Sequence, residues 1–178
     1  TVPEGITLDN NGEIVEVGAL QVSGDIESNA SWTDGHTKHY SDLNTALDNV
    51  KSGESVTLLE NFIWTYDAPL EIPQDVDFVI PNDVVLEIEK EKLVNVENIK
   101  SETLWKSDEN SNKISFGSLE QAIEESTSNV DNNVDIIIRD DVVLEENITI
   151  PEGVNITISE GSSLTVPDGK EIENNGTI

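Results

Sequence analysis

The sequence predicts a mostly β chain wound as a right-handed parallel β-helix, a solenoid, with one short flanking α-helix in each repeat unit. Three observations point there: an internal duplication, turn signals about every eight residues near the C-terminus, and short apolar alternations between those turns. The duplication constrains the fold most. Tyr40, Leu43, Ala46 and Leu47 match Phe116, Leu119, Ala122 and Ile123, 76 residues later. Leu70, Ile72 and Pro73 match Ile148, Ile150 and Pro151 at an offset of 78. Val76, Phe78 and Ile80 keep that offset to Val154, Ile156 and Ile158, as do Leu86 and Ile88 to Leu164 and Val166.

The chain ends carry a further partial copy. Pro3-Glu4-Gly5 with Leu8, Asn10-Asn11-Gly12 and Ile14 resembles Pro167-Asp168-Gly169 with Ile172, Asn174-Asn175-Gly176 and Ile178. The expected organisation is therefore the tail of a preceding unit in 1–30, one unit in 31–104 and a second in 105–178, as one continuous solenoid. Such a pattern suits a piece cut from a longer array, whose units need neighbours to cover their end faces.

Each unit opens on a helix. Leu43, Ala46, Leu47 and Val50 fall on one helical face, and Gly53 follows as a stop signal. In the second unit Ser118 and Gln121 have the spacing of a capping box, ahead of Leu119, Ala122 and Ile123. Helices this short need tertiary packing to persist. Strands follow, led by Val56, Leu58 and Leu59 in one unit and by Ile136, Ile137 and Ile138 in the other. Four turns come next: Pro151-Glu152-Gly153, Ser159-Glu160-Gly161, Pro167-Asp168-Gly169 and Asn174-Asn175-Gly176. Between two of them, Val154, Ile156 and Ile158 alternate with Asn155 and Thr157. Corners so close suit short strands that bend at each side of a coil, with Gly, Asn, Asp and Pro at the bends. Spaced turns alone also fit an antiparallel sandwich or meander.

Composition narrows the function. Among 178 residues, 37 are acidic and 9 basic, a net charge of −28. That balance argues against nucleic acid and against insertion into or adsorption on an anionic membrane, since both polyanions demand a basic patch. No apolar run approaches the roughly 18 residues of a membrane span. No cysteine is present, which excludes a disulfide framework and a thiolate metal site. Absence of cysteine fits a secreted bacterial protein, so an extracellular or cell-surface location is expected. No basic segment with an apolar stretch behind it marks a signal peptide, and a chain opening at Thr1 reads as a mature or cut fragment.

Phe116, Leu119, Ala122 and Ile123, then Ile136 to Ile138, then Val143, Ile148, Ile150, Pro151, Val154, Ile156 and Ile158, form a pattern of aromatic, short helix, buried strand and Ile-x-Ile-Pro step. It resembles the start of a pectin-lyase-like β-helix domain and repeats of large bacterial adhesin-like surface proteins. The resemblance covers most of 31–178, twice. It implies a fold shared by lyases, glycosidases, tailspikes and non-catalytic stalks, so it does not assign an activity.

Lyases of that kind, as the resemblance implies, use a calcium cluster of acids and a basic residue. Arg139 is the one arginine, and beside Asp140 and Asp141 a local ion pair explains it more simply. A glycosidase needs two carboxylates with separated pKa values, and a chain this acidic always offers some pair. No catalytic residue is assigned. A metal site prefers three or four ligands, and His36 and His39, which Asp34 could join, read as part of a solvated loop. No cofactor is expected. Calcium is the one ion the corner acids Glu152, Glu160 and Asp168 suit, through hard oxygen ligands. Stacked corner acids repel, so salt or calcium should raise the melting temperature, and a flat response between about 10 and about 500 mM NaCl would contradict this. Trp32 and Trp105 recur at matching places and suit structural packing. Trp64 lies in a two-residue insertion of the first unit, beside Tyr66, and is the expected exposed aromatic; the two are the expected ligand-binding residues.

The leading expectation is a non-catalytic structural or display module of a secreted or cell-surface bacterial protein, acting in adhesion. A carbohydrate-binding module is the alternative, and a polysaccharide lyase or glycosidase the third reading. Expected partners are neighbouring repeats of the same chain, with a glycan or a host surface protein as the external ligand.

Overall fold

A computed structural model describes residues 7–9, 14–16, 25–33, 37–106, 112–128 and 133–178. In chain order its elements are β1 (Thr7–Asp9), β2 (Ile14–Glu16), β3 (Asp25–Glu27), β4 (Ala30–Thr33), β5 (Lys38–Ser41), α1 (Leu43–Asn49), β6 (Ser55–Leu58), β7 (Phe62–Ile63), β8 (Leu70–Glu71), β9 (Asp77–Val79) and β10 (Leu86–Glu89). There follow β11 (Leu93–Val94), β12 (Ile99–Lys100), β13 (Thr103–Lys106), β14 (Lys113–Gly117), α2 (Leu119–Ser128), β15 (Val134–Ile138), β16 (Val142–Val143), β17 (Ile148–Ile150), β18 (Val154–Ile158), β19 (Leu164–Thr165) and β20 (Ile172–Asn174). Two compact units result. One takes the described residues of Thr1–Phe62 with Leu70–Ile80 and Val94–Lys100, and the other takes Ile63–Pro69, Pro81–Leu93 and Ser101–Ile178.

The first unit centres on a six-stranded sheet, β12-β9-β6-β4-β5-β2. β4 and β5 form an antiparallel hairpin that sets Trp32 opposite His39. β6 runs antiparallel to β4, with Val56 opposite Trp32. β9 and β12 then add in parallel, bringing Phe78 beside Val56 and Ile99 beside Phe78. Trp32, Val56, Phe78 and Ile99 thus make one row across four strands, and all four are buried. On the other edge β2 pairs antiparallel with β5, Ile14 opposite Tyr40.

Helix α1 begins where Asp42 accepts the Thr45 N–H at 3.1 Å and the Thr45 hydroxyl at 2.7 Å. Partial burial works against the Asp42 carboxylate, yet the Thr45 hydrogen bonds prevail and hold its pKa below the usual value. Leu43, Ala46, Leu47 and Val50 are buried, as their helical spacing predicts.

The second unit repeats this plan. Its six-stranded sheet runs β18-β15-β13-β14-β10-β7. β13 and β14 form the hairpin, β15 returns antiparallel to β13 with Ile136 opposite Trp105, and β18 adds in parallel with Ile156 beside Ile136. β10 borders β14 with Leu86 opposite Phe116, as Ile14 faces Tyr40 in the first unit. Helix α2 carries the capping box that the sequence predicts. The Gln121 N–H donates to Ser118 Oγ at 3.2 Å, and Gln121 Oε1 accepts the Ser118 N–H at 2.9 Å. Trp105, Leu119, Ala122, Ile136, Ile138, Leu144, Ile150 and Ile156 belong to one buried apolar cluster, with Leu164 and Ile172 packed on it.

The corners follow turn chemistry. Val154 N–H donates to Pro151 O at 3.3 Å and Lys170 N–H to Pro167 O at 3.0 Å. Gly153 and Gly169 hold the third position of these turns at φ +85° and +83°. That is the type II turn, which requires a positive φ there.

The expected right-handed parallel β-helix is not what the chain forms. The strands belong to separate sheets, two of them six-stranded and mixed, the others two-stranded. A solenoid would keep its sheets parallel from rung to rung, whereas antiparallel hairpins stand inside both large sheets. Parallel pairs occur, as in β15–β18, β16–β19 and β17–β20, but the first lies beside antiparallel neighbours and the other two are isolated pairs. A Pro-x-Gly corner is the same local turn whether it joins the sides of a coil or the strands of small sheets, so turn spacing could not decide between them. The resemblance to pectin-lyase-like domains falls with the fold it implied.

Candidate functional site

A polar concavity lies in the second unit. It is a cleft of about 530 Å³ lined by Asn82, Asp83, Glu102, Ser118, Glu120, Gln121, Val143, Glu145 and Glu146. Its position follows from the local fold. Glu102 directly precedes β13, Ser118 to Gln121 form the first turn of α2, and Glu145 and Glu146 fill the bend between β16 and β17.

Glu102 is half-buried. Its Oε2 accepts the Leu119 N–H at 3.2 Å, and its Oε1 accepts Asn82 Nδ2 at 2.6 Å. Its own carbonyl accepts the Arg139 N–H at 2.8 Å. Burial raises its pKa above the usual carboxyl value, with repulsion from Glu120 and Asp140 adding to the rise and the Leu119 and Asn82 hydrogen bonds opposing it. A raised carboxyl pKa is the mark of a general acid. Here, however, both oxygens are held by donors of the chain itself, one of them an end-of-helix amide, which is the work of a cap.

The sign of the pH effect follows. A carboxyl whose pKa is higher folded than unfolded binds its proton more tightly in the folded chain. Its contribution is favourable while it is protonated and is lost as pH rises through the raised value. Glu102→Gln mimics the protonated form. Its melting temperature relative to the parent should therefore rise as pH goes from about 4 to about 7. A difference constant across that range would contradict the assignment.

The cleft gathers carboxylates without an opposing base among its lining residues. Nor do the described residues contain any group of three or more His, Asp or Glu placed to hold a metal ion.

The predicted ligand-binding pair separates. Tyr66 is 47 % exposed, but Trp64, the expected exposed ring, is only 5 % exposed and donates Nε1–H to Ala68 O at 2.9 Å. The two rings meet edge to face, centroids 4.9 Å apart. Trp64 N–H donates to Glu87 O at 2.8 Å, just as Leu144 N–H donates to Thr165 O at 3.1 Å. Trp64 is thus the counterpart of buried Leu144, and the inserted residues come after it, around Tyr66. The sequence places the ring in the insertion because the two units align across a gap at this point. Trp64→Ala should cost about 3–5 kcal/mol of stability, as for a core aromatic. Tyr66→Ala should stay within about 0.5 kcal/mol. Urea unfolding of both variants checks this, and equal losses would contradict it.

His39 is not in a solvated loop. It is buried in β5 and stacks on Trp32, centroids 4.4 Å apart and rings 11° from parallel. Asp34 and His36 lie outside the described residues. Arg139 lies with its guanidinium 5.5 Å from the Phe116 ring centroid, a cation–π geometry. Burial lowers its pKa. No sequence motif marks Glu102, because it lies between elements. Its one signal is the short Ser101-Glu102-Thr103 step ahead of a hairpin.

Compared with known proteins, the chain matches no family model, no curated protein and no solved structure.

Proposed function

We propose that the chain is a non-catalytic structural module of a secreted or cell-surface bacterial protein, a scaffold that displays or spaces other parts of its parent. The observation that carries this reading is the recurrence of one unit: hairpin, capped helix, antiparallel return strand and parallel partner, with Trp32, Val56 and Phe78 in one copy matching Trp105, Ile136 and Ile156 in the other. Duplication of a whole packing unit extends a scaffold, while a catalytic centre needs one asymmetric convergence of groups. The candidate cleft supports the same reading, because its half-buried acid is engaged in holding α2. The strongly acidic composition and the absence of cysteine suit an extracellular setting.

A carbohydrate-binding role is the second reading, favoured by the exposed Tyr66 ring. The test is incubation of the full chain with pectins and host glycans, followed for unsaturated and reducing ends, beside a glycan array. The scaffold reading expects neither cleavage nor a glycan signal. Cleavage overturns it in favour of an enzyme, and array binding that Tyr66→Ala abolishes overturns it in favour of the binding module.

A further inference from the structure

The second unit contains two strands that are counterparts, and among the described residues only one of them is flanked on both sides. β10 and β19 are related by the 78-residue offset, Leu86 to Leu164 and Ile88 to Val166. Each is bordered on one edge by the strand that follows a return strand: β7 for β10 and β16 for β19. The pairing agrees atom for atom, since Glu87 O accepts the Trp64 N–H and Thr165 O accepts the Leu144 N–H. The other edge differs. β10 carries β14 there in antiparallel register, Leu86 opposite Phe116 and Ile88 opposite Ile114, and the Lys90 N–H donates to Asn112 O at 2.7 Å. Among the described residues no strand occupies that edge of β19. Burial follows the difference. Ile88 is 1 % exposed beneath its hairpin, and its counterpart Val166 is 42 % exposed.

We propose that the free edge of Leu164–Val166 is a docking site for the hairpin strand of a further unit of the same kind, paired antiparallel as β14 pairs with β10. The occupant is set by the precedent within the chain: an alternating strand like Lys113–Gly117, whose Ile114 and Phe116 would cover Val166 and Leu164. Backbone pairing along an open edge supplies affinity, and the alternate apolar side chains supply register. The chain's own hairpin strands do not serve in trans, because β5 is already bordered by β2 and β14 by β10. The partner is thus a unit whose hairpin lacks such a border. This deepens the scaffold reading and rests on it.

The test appends a second copy of residues 100–178 directly after Ile178 of the full chain. In register with β10, the Leu164 and Val166 amides face the incoming strand. Their hydrogen exchange should slow by at least about 100-fold relative to the 178-residue chain, while the second copy of Trp105 becomes buried by fluorescence. Val166→Pro removes one of those donors without touching the β16 side. It should leave the 178-residue chain's melting temperature unchanged and abolish the added protection in the extended chain. Unchanged exchange at Leu164 and Val166 beside a folded added unit overturns the proposal. An added unit that stays unfolded overturns it equally, because the edge then recruits no hairpin. Cleavage or glycan binding in the earlier assays would sink the scaffold reading and leave these exchange rates as they are.

Discussion

Trp105→Ala should lower the stability of the chain by about 3–5 kcal/mol, a large share of the roughly 5–15 kcal/mol that holds a domain folded. Trp105 is fully buried in the apolar cluster of the second unit. It is opposite Ile136 on one side and Ser115 on the other, so it joins the hairpin to the return strand. Its Nε1–H donates to Glu125 Oε2 at 2.9 Å, tying α2 to the sheet. A Cβ at Gly117 would stand 3.1 Å from the far edge of the indole, which is why the ring fits against a glycine. Removal therefore leaves a cavity, an acceptor without its donor and a helix with one anchor fewer. Trp105→Phe keeps most of the volume and should lose much less. Urea unfolding of both variants measures this, and an alanine loss under about 1 kcal/mol would mean that the indole does not organise the unit.

Gly176→Ala is the second large effect, and its origin is close backbone approach. A Cβ at Gly176 would stand 2.7 Å from Pro151 O and 3.0 Å from Ile150 Cγ2, and closer still to Val154 O. Two of these three atoms are backbone and cannot swing away. Around it, Asn175 N–H donates to Ile150 O, Thr177 N–H to Val154 O, and Ile156 N–H to Thr177 O, at 2.8 to 2.9 Å. Overpacking of this kind costs about 1–3 kcal/mol. The amides of Ile156, Asn175 and Thr177 should lose protection together in Gly176→Ala, with the α2 amides unchanged. Unaltered exchange at all three would contradict the close approach.

Local features of the fold were legible because local chemistry decides them. The Ser118–Gln121 capping box, the apolar face of α1 and the glycines of the type II corners are set within a few residues. Asn174-Asn175-Gly176 was read as one more such corner, but Gly176 is required for space rather than for a positive φ. Strand partnership was not legible, because which edge meets which depends on contacts distant in sequence. The hairpins β4–β5 and β13–β14 took places in the large sheets where a coil of parallel rungs was expected. The place of Trp64 was not legible for a related reason. The gap between the units falls within a few residues of it, and only the hydrogen bond to Glu87 O shows it to be the counterpart of Leu144. Of the candidate site, the acidity was visible in composition, but the capture of Glu102 by Leu119 and Asn82 depends on tertiary placement.

The central claim is that one packing unit occurs twice with the same mixed register. Cross-strand nuclear Overhauser contacts in the full chain test it most directly. Antiparallel contacts are expected between the strands of Trp32 and Val56 and between those of Trp105 and Ile136, with parallel contacts from Val56 to Phe78 and from Ile136 to Ile156. Parallel contacts at the two tryptophan strands, or the mixed register in one unit alone, would contradict it.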